Sequence, residues 1–174
     1  MEGSRSTGKG TKAAQAGTGA VYTLSVTLVD GPVRDAFREK NPVISRTIEI
    51  QGDQDLDDLH WAIKQAFDWD DDHCWEFQIG GTRPQARKAI RYGLEEDDGG
   101  PWGAPVRLAE DAIIGSLGLR TRSRFFYWYD FGASWWHEIR VTKTDHLSRE
   151  ADLPRVIARV GDNPPQYPDS EDEE

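Results

Sequence analysis

Phe125-Phe126-Tyr127-Trp128-Tyr129-Asp130-Phe131-Gly132-Ala133-Ser134-Trp135-Trp136-His137-Glu138-Ile139 places eight aromatic side chains and one histidine in fifteen residues. Aromatic residues are enriched in strands, and Asp130 to Ser134 supplies the turn residues that separate two of them. The stretch therefore predicts a β-hairpin. With a loop of even length, Asp130 opposes Trp135, Trp128 opposes His137 and Phe126 opposes Ile139. One face then carries Phe126, Trp128, Asp130, Trp135, His137 and Ile139. The other carries Phe125, Tyr127, Tyr129, Trp136, Glu138 and Arg140. Diagonal neighbours in such a ladder lie ~7–8 Å apart, so Asp130 and His137 form a candidate pair. A loop of odd length would undo this register.

Working outward, Tyr22, Leu24, Val26 and Leu28 alternate with Thr23, Ser25 and Thr27, which predicts a half-buried strand. Asp30-Gly31-Pro32 turns the chain. Residues 33–40 suit a short surface helix or an irregular excursion. Ile44, Arg46, Ile48 and Ile50 then share one side of a second strand. Leu56, Leu59, Ile63, Ala66 and Phe67 recur at helical spacing, capped by Asp53 or Asp55 and ending near Asp68. A third strand covers about 75–79. Residues 82–105 read mostly as loop, 109–118 as a short helix and 153–160 as a last helix. The expected fold class is α+β: a mixed or antiparallel sheet with a packed helix, in a single domain.

The chain has 174 residues, 31 acidic against 21 basic side chains, and a net charge of −10. Residues 1–20 hold three basic groups against Glu2, and residues 161–174 hold six acidic groups and no basic one. Neither end has the apolar spacing that offsets chain ordering. The expected organisation is a tail over 1–20, a folded domain over 21–168 and an acidic tail over 169–174. No apolar run reaches the length of a membrane span, and residues 1–20 lack a secretory core. The single cysteine, Cys74, excludes an internal disulfide framework. A cytoplasmic protein is the expectation.

Four histidines are present. His60 lies on the apolar stripe of the first long helix, His73 just before the third strand and His137 in the hairpin. A pocket gathering His60, His73, Asp130 and His137 would suit a divalent metal, with imidazole and carboxylate ligands fitting zinc. The same groups would then be catalytic candidates for a metal-assisted hydrolase. The other reading is structural, with His60 buried and hydrogen-bonded. The candidate binding surface joins Tyr127, Tyr129 and Trp136 with Arg83, Arg87, Arg91 and Arg122. Aromatic and basic side chains together also suit nucleic acid, but a net negative body opposes phosphate binding. No phosphate loop and no nucleophile elbow occurs.

Leu59-His60, Phe67-Asp68-Trp69 followed by His73 and Phe77, and Tyr129-Asp130-Phe131-Gly132 with Trp135 and His137 carry a resemblance. So do Leu153-Pro154-Arg155, Gly161 and Pro164-Pro165. From about Tyr22 to Pro168 the sequence resembles the plasmid pRiA4b ORF-3-like family. The resemblance implies a roll-like α+β domain, found on plasmids or as a passenger of insertion elements. Some members are labelled resolvases, and the resemblance supplies no reaction, cofactor or catalytic residue. Ala133 replaces the acidic residue usual after the Phe-Gly turn, and Gln166-Tyr167-Pro168 replaces a cysteine- and glycine-rich ending. The reading reached is a binding or interaction module for a protein or small ligand. A metal-assisted hydrolase and a nucleic-acid accessory protein of a mobile element stand as alternatives.

Overall fold

A computed structural model describes residues 19–70, 72–101, 103–146 and 152–168. The expected tails lie outside these residues, except Gly19 and Ala20, and Ala20 opens the first strand with its side chain buried. The elements run β1 (Ala20–Asp30), α1 (Asp35–Lys40), β2 (Ser45–Gln51), α2 (Leu56–Phe67), β3 (Trp75–Ile79), β4 (Ile90–Gly93), β5 (Val106–Leu108), β6 (Arg124–Tyr129), β7 (Trp135–His146) and β8 (Arg155–Val160). All eight strands form one sheet in the order β5-β4-β3-β6-β7-β1-β2-β8. Every neighbouring pair is antiparallel except β4 with β5.

This architecture corrects the expected α+β class. The described residues are mostly sheet, with α-helices of only six and twelve residues. Three segments account for the difference. Residues 90–93, inside the expected loop, pair with β3. Residues 109–118 make two single 3₁₀ turns, Ala109–Asp111 and Ile114–Ser116. Residues 155–160, expected as helix, form β8 on the edge of β2. Val156, Ile157 and Val160 are β-branched, which favours an extended chain, and pairing satisfies the peptide groups that β2 would otherwise leave open.

The hairpin register is also corrected. Tyr129 opposes Trp135, Tyr127 opposes His137 and Phe125 opposes Ile139. The loop is therefore Asp130 to Ser134, odd in length, and the β6 residues change face relative to the even-loop reading while those of β7 keep theirs, so Phe125, Tyr127 and Tyr129 join Trp135, His137 and Ile139. Asp130 and Ser134 both adopt positive φ, 54° and 64°. The Asp130 carboxylate accepts the N–H groups of Gly132 and Ala133 at 3.1 Å, and its carbonyl accepts from Ser134 at 2.6 Å. Asp130 thus builds the turn instead of standing diagonally from His137. Phe125, Tyr127, Tyr129, Trp135, His137 and Ile139 are all buried in the core.

Helix α2 follows its sequence pattern. Asp55 caps it: Asp58 N–H donates to the Asp55 carboxylate at 2.9 Å, and Asp55 N–H donates to that of Asp58 at 3.2 Å. Leu56, Leu59, His60, Ala62, Ile63, Ala66 and Phe67 are buried, and the apolar ones join Tyr22, Leu24, Val26, Ile48, Ile50 and the hairpin rings in one cluster. The turn after β1 depends on Gly31. Its φ is 152°, and a Cβ there would lie 2.4 Å from Cε3 of the buried Trp135 ring. Gly31→Ala is expected to cost about 2–3 kcal/mol. Urea unfolding followed by tryptophan fluorescence checks this, and an unchanged midpoint would contradict it.

Candidate functional site

Two of the three motif histidines reach the same tyrosine from different sides. His60, on α2, stands 2.8 Å from the Tyr127 hydroxyl through Nδ1. Its ring stacks on Trp75 with centroids 4.0 Å apart and 9° between planes. His137, on β7, donates Nδ1–H to the Tyr127 carbonyl at 3.4 Å and meets Phe67 edge-on at 4.8 Å. Its Nε2 has no hydrogen-bond partner among the described residues. Both side chains are buried. Loss of hydration lowers each imidazole pKa from 6.5 to about 3, with Lys64 adding to the effect at His60. Burial also pushes the Tyr127 hydroxyl well above 10. The trio is neutral at ordinary pH and braces α2 against the hairpin.

His73 is placed differently. It is half-buried in the segment entering β3, with Nε2 at 2.6 Å from the Tyr167 hydroxyl and 3.7 Å from the Asp130 carboxylate. The structure thus brings His73 and Asp130 together. It does not bring these two, His60 and His137 into one cavity. Among the described residues no three His, Cys, Asp or Glu side chains gather to hold a metal ion, so the four expected ligands do not form one set. The expected binding surface also divides. Tyr127, Tyr129 and Trp136 are buried, because the odd loop turns the tyrosines inward. Arg91 is bound to the buried Glu76 through two contacts of 2.9 and 2.7 Å. Arg83 and Arg87 stay exposed in the loop after β3, and Arg122 is exposed in the turn before β6 at φ 77°.

Of the expected ligands, His60 and His73 border open space together, beside Trp61 and Leu94, which carry no motif. A cleft of about 200 Å³ lies beside α2, lined by Asp57, His60, Trp61, Lys64, Asp72, His73, Trp75, Leu94 and Tyr129. At His73 and Leu94 it meets a trough of about 540 Å³ that continues past Glu95, Glu96 and Asp97 to Phe131. Trp61 is 47% exposed, Leu94 63% and Phe131 41%. Phe131 caps a stack of three rings, at 4.0 Å from Trp128, which lies 4.9 Å from Trp136. One signal in the sequence marked Trp61: it falls off the apolar stripe of an amphipathic helix. Leu94 similarly stands alone before an acidic run.

A family model for plasmid pRiA4b ORF-3-like proteins matches residues 33–169. The chain belongs to that family. The match starts after β1, later than the Tyr22 suggested by the motifs. The uncharacterized protein y4hQ of Sinorhizobium fredii is 23% identical over 126 residues, 72% of this chain. The chain spans 59% of that relative's length. The crystal structure of a protein of unknown function, MM3350 from Methanosarcina mazei Go1, matches with a TM-score of 0.64 and 26% identity. That match covers 83% of this chain and 71% of the other. These ORF-3-like relatives carry no assigned activity in their names. Five of the motif residues that marked the family form one aromatic cluster: Phe67, Trp69, Tyr129, Trp135 and His137 are linked by ring contacts. Among the described residues, no helix is long and apolar enough to cross a membrane.

Proposed function

We propose that this ORF-3-like chain is a binding module whose trough, from Trp61 past His73 to Phe131, receives a peptide segment of a partner protein bearing apolar and basic side chains. The observation that carries the reading is the row of large apolar side chains left open along one continuous depression. Exposed apolar surface of this kind, rimmed by polar groups, marks interaction sites. Charge supplies the second half of the argument. Asp57, Asp72, Glu95, Glu96 and Asp97 line the two hollows, while Lys64 and Arg91 are each bound to a carboxylate of the protein. The surplus is negative, and complementary charge selects a basic partner. The lone cysteine supports the cytoplasm as the compartment, and residues 21–168 are read as the folded unit.

The test is selection of twelve-residue peptides from a displayed random library on the full chain, with a Trp61→Ser/Leu94→Asp double variant as counter-screen. Neither side chain belongs to the core cluster, so the variant should stay folded, which its unfolding midpoint checks. Selected peptides are expected to bind the variant at least tenfold more weakly. Peptides that bind both proteins equally, or no enrichment at all, would overturn the reading.

A further inference from the structure

We infer that the α2 end of the trough is a cation subsite, and that Lys64 holds there the place of a lysine or arginine side chain of the partner. The inference rests on the proposed peptide-binding reading and adds the chemistry of one subsite. Lys64 projects from the last turn of α2, and its side chain is only 13% exposed. Its Nζ sits 2.9 Å from the Asp72 carboxylate and 5.0 Å from the centre of the Trp61 ring. A carboxylate on one side and an indole on the other is the environment that attracts an ammonium or guanidinium group. Asp57 lines the same cleft as Trp61 and brings a second carboxylate to it. The neighbouring His60 is neutral and adds no competing charge.

The Asp72 side chain is 89% exposed, so a partner's cation can approach it without opening the core. The exchange conserves charge: the incoming cation takes the Asp72 carboxylate and the Trp61 ring, while the flexible four-carbon stem of Lys64 carries its own charge into solvent. Holding that long side chain in one geometry costs rotamer entropy, which its release returns. The resident lysine therefore acts as a weak internal competitor and sets a preference for ligands that replace it with a cation of their own.

The probes are n-butylammonium and its neutral counterpart 1-butanol, titrated against the full chain while the Trp61 indole N–H signal is followed by NMR. Butylammonium is expected to shift that signal saturably and at least fivefold more tightly than butanol. Lys64→Met should tighten it threefold or more, with Lys64→Gln as the variant that keeps more of the polar stem. Asp72→Asn in the Lys64→Met background should weaken it at least threefold. Equal response to the two probes, or no gain in both Lys64 variants, would overturn the inference. Peptides selected on the trough with no dependence on their basic residues would sink the subsite and leave the peptide-binding reading standing. Butylammonium binding as described, with no peptide sensitive to the double variant, would do the reverse.

Discussion

Acidification from pH 7 to pH 5 is expected to remove about 3–4 kcal/mol of folding stability, a large part of the ~5–15 kcal/mol typical of a domain. The source is the pair of buried imidazoles, His60 and His137, whose pKa values fall from 6.5 to about 3 in the fold. A folded pKa below the unfolded one means that the native state favours the neutral ring. Above pH 6.5 neither state binds the proton, and the full stability is present. As pH falls below 6.5 the unfolded chain takes up two protons that the native chain refuses. Each site then costs ~1.4 kcal/mol per pH unit, until the native rings titrate near 3. Asp55 and Asp57 act in the opposite direction. Burial raises their pKa values, so the native state gains from them as pH drops toward the carboxylate range, below the interval in question. Urea midpoints at pH 7.0, 6.0 and 5.0 measure the slope, and His137→Leu should cut it by about half. Equal midpoints at pH 7.0 and 5.0 would show that the native rings accept protons freely.

The neutral trio also shows how far the sequence could be read. His60 was recognisable as a buried histidine because it shares the stripe of Leu56, Ile63 and Phe67. Its partner was not, since the Tyr127 hydroxyl meets it across a sequence separation of 67 residues. The strand over 22–28, the α2 stripe and the Asp55 cap follow from periodicity and local hydrogen bonding, which act within a few residues. The hairpin faces depend instead on a single integer, the number of loop residues. That number is decided by the positive φ of Asp130 and Ser134 and by the Asp130 side-chain bonds, none of which leaves a periodic mark. β8 was hidden for a related reason. Val156, Ile157 and Val160 fit a helix or a strand by spacing, and only the free edge of β2 selects the strand. The trough was the least visible feature. It is made of residues that break the apolar pattern, and pattern-based reading assigns such residues to a solvated face.

Arg46→Met is expected to destabilise the fold by about 3–5 kcal/mol, the second large effect. Arg46 occupies an inward position of β2, between Ile44 and Ile48, and is buried. No carboxylate is paired with it among the described ion pairs. Carbonyl groups surround its guanidinium instead. Nε donates to Ala66 at 3.0 Å, and Nη1 to Ser45 and Val160 at 2.7 and 2.9 Å. Nη2 donates to the Asn163 side chain. Arg159 donates to the same Ala66 carbonyl at 2.6 Å. Ala66 lies in the last turn of α2, where four carbonyls lack helical partners and the helix dipole is negative. The two arginines thus close the helix end and tie it to β2 and β8, while the Arg46 guanidinium also lies 5.0 Å from the centre of the Phe67 ring. Burial and the nearby Arg159 lower the Arg46 pKa, yet a guanidinium keeps its proton throughout the working range. Methionine fills much of the volume and restores none of the donors, so several partly buried acceptors are left open at about 1–3 kcal/mol each where desolvated. Arg46→Lys should recover only part of the loss, because one ammonium cannot span acceptors on α2, β2 and the segment after β8. Arg159→Met removes one of two donors to Ala66 from a more exposed position, and its loss should be clearly smaller. Unfolding midpoints for the three variants give the order; an Arg46→Met protein as stable as the parent would show that the Arg46 bonds do not hold the helix end.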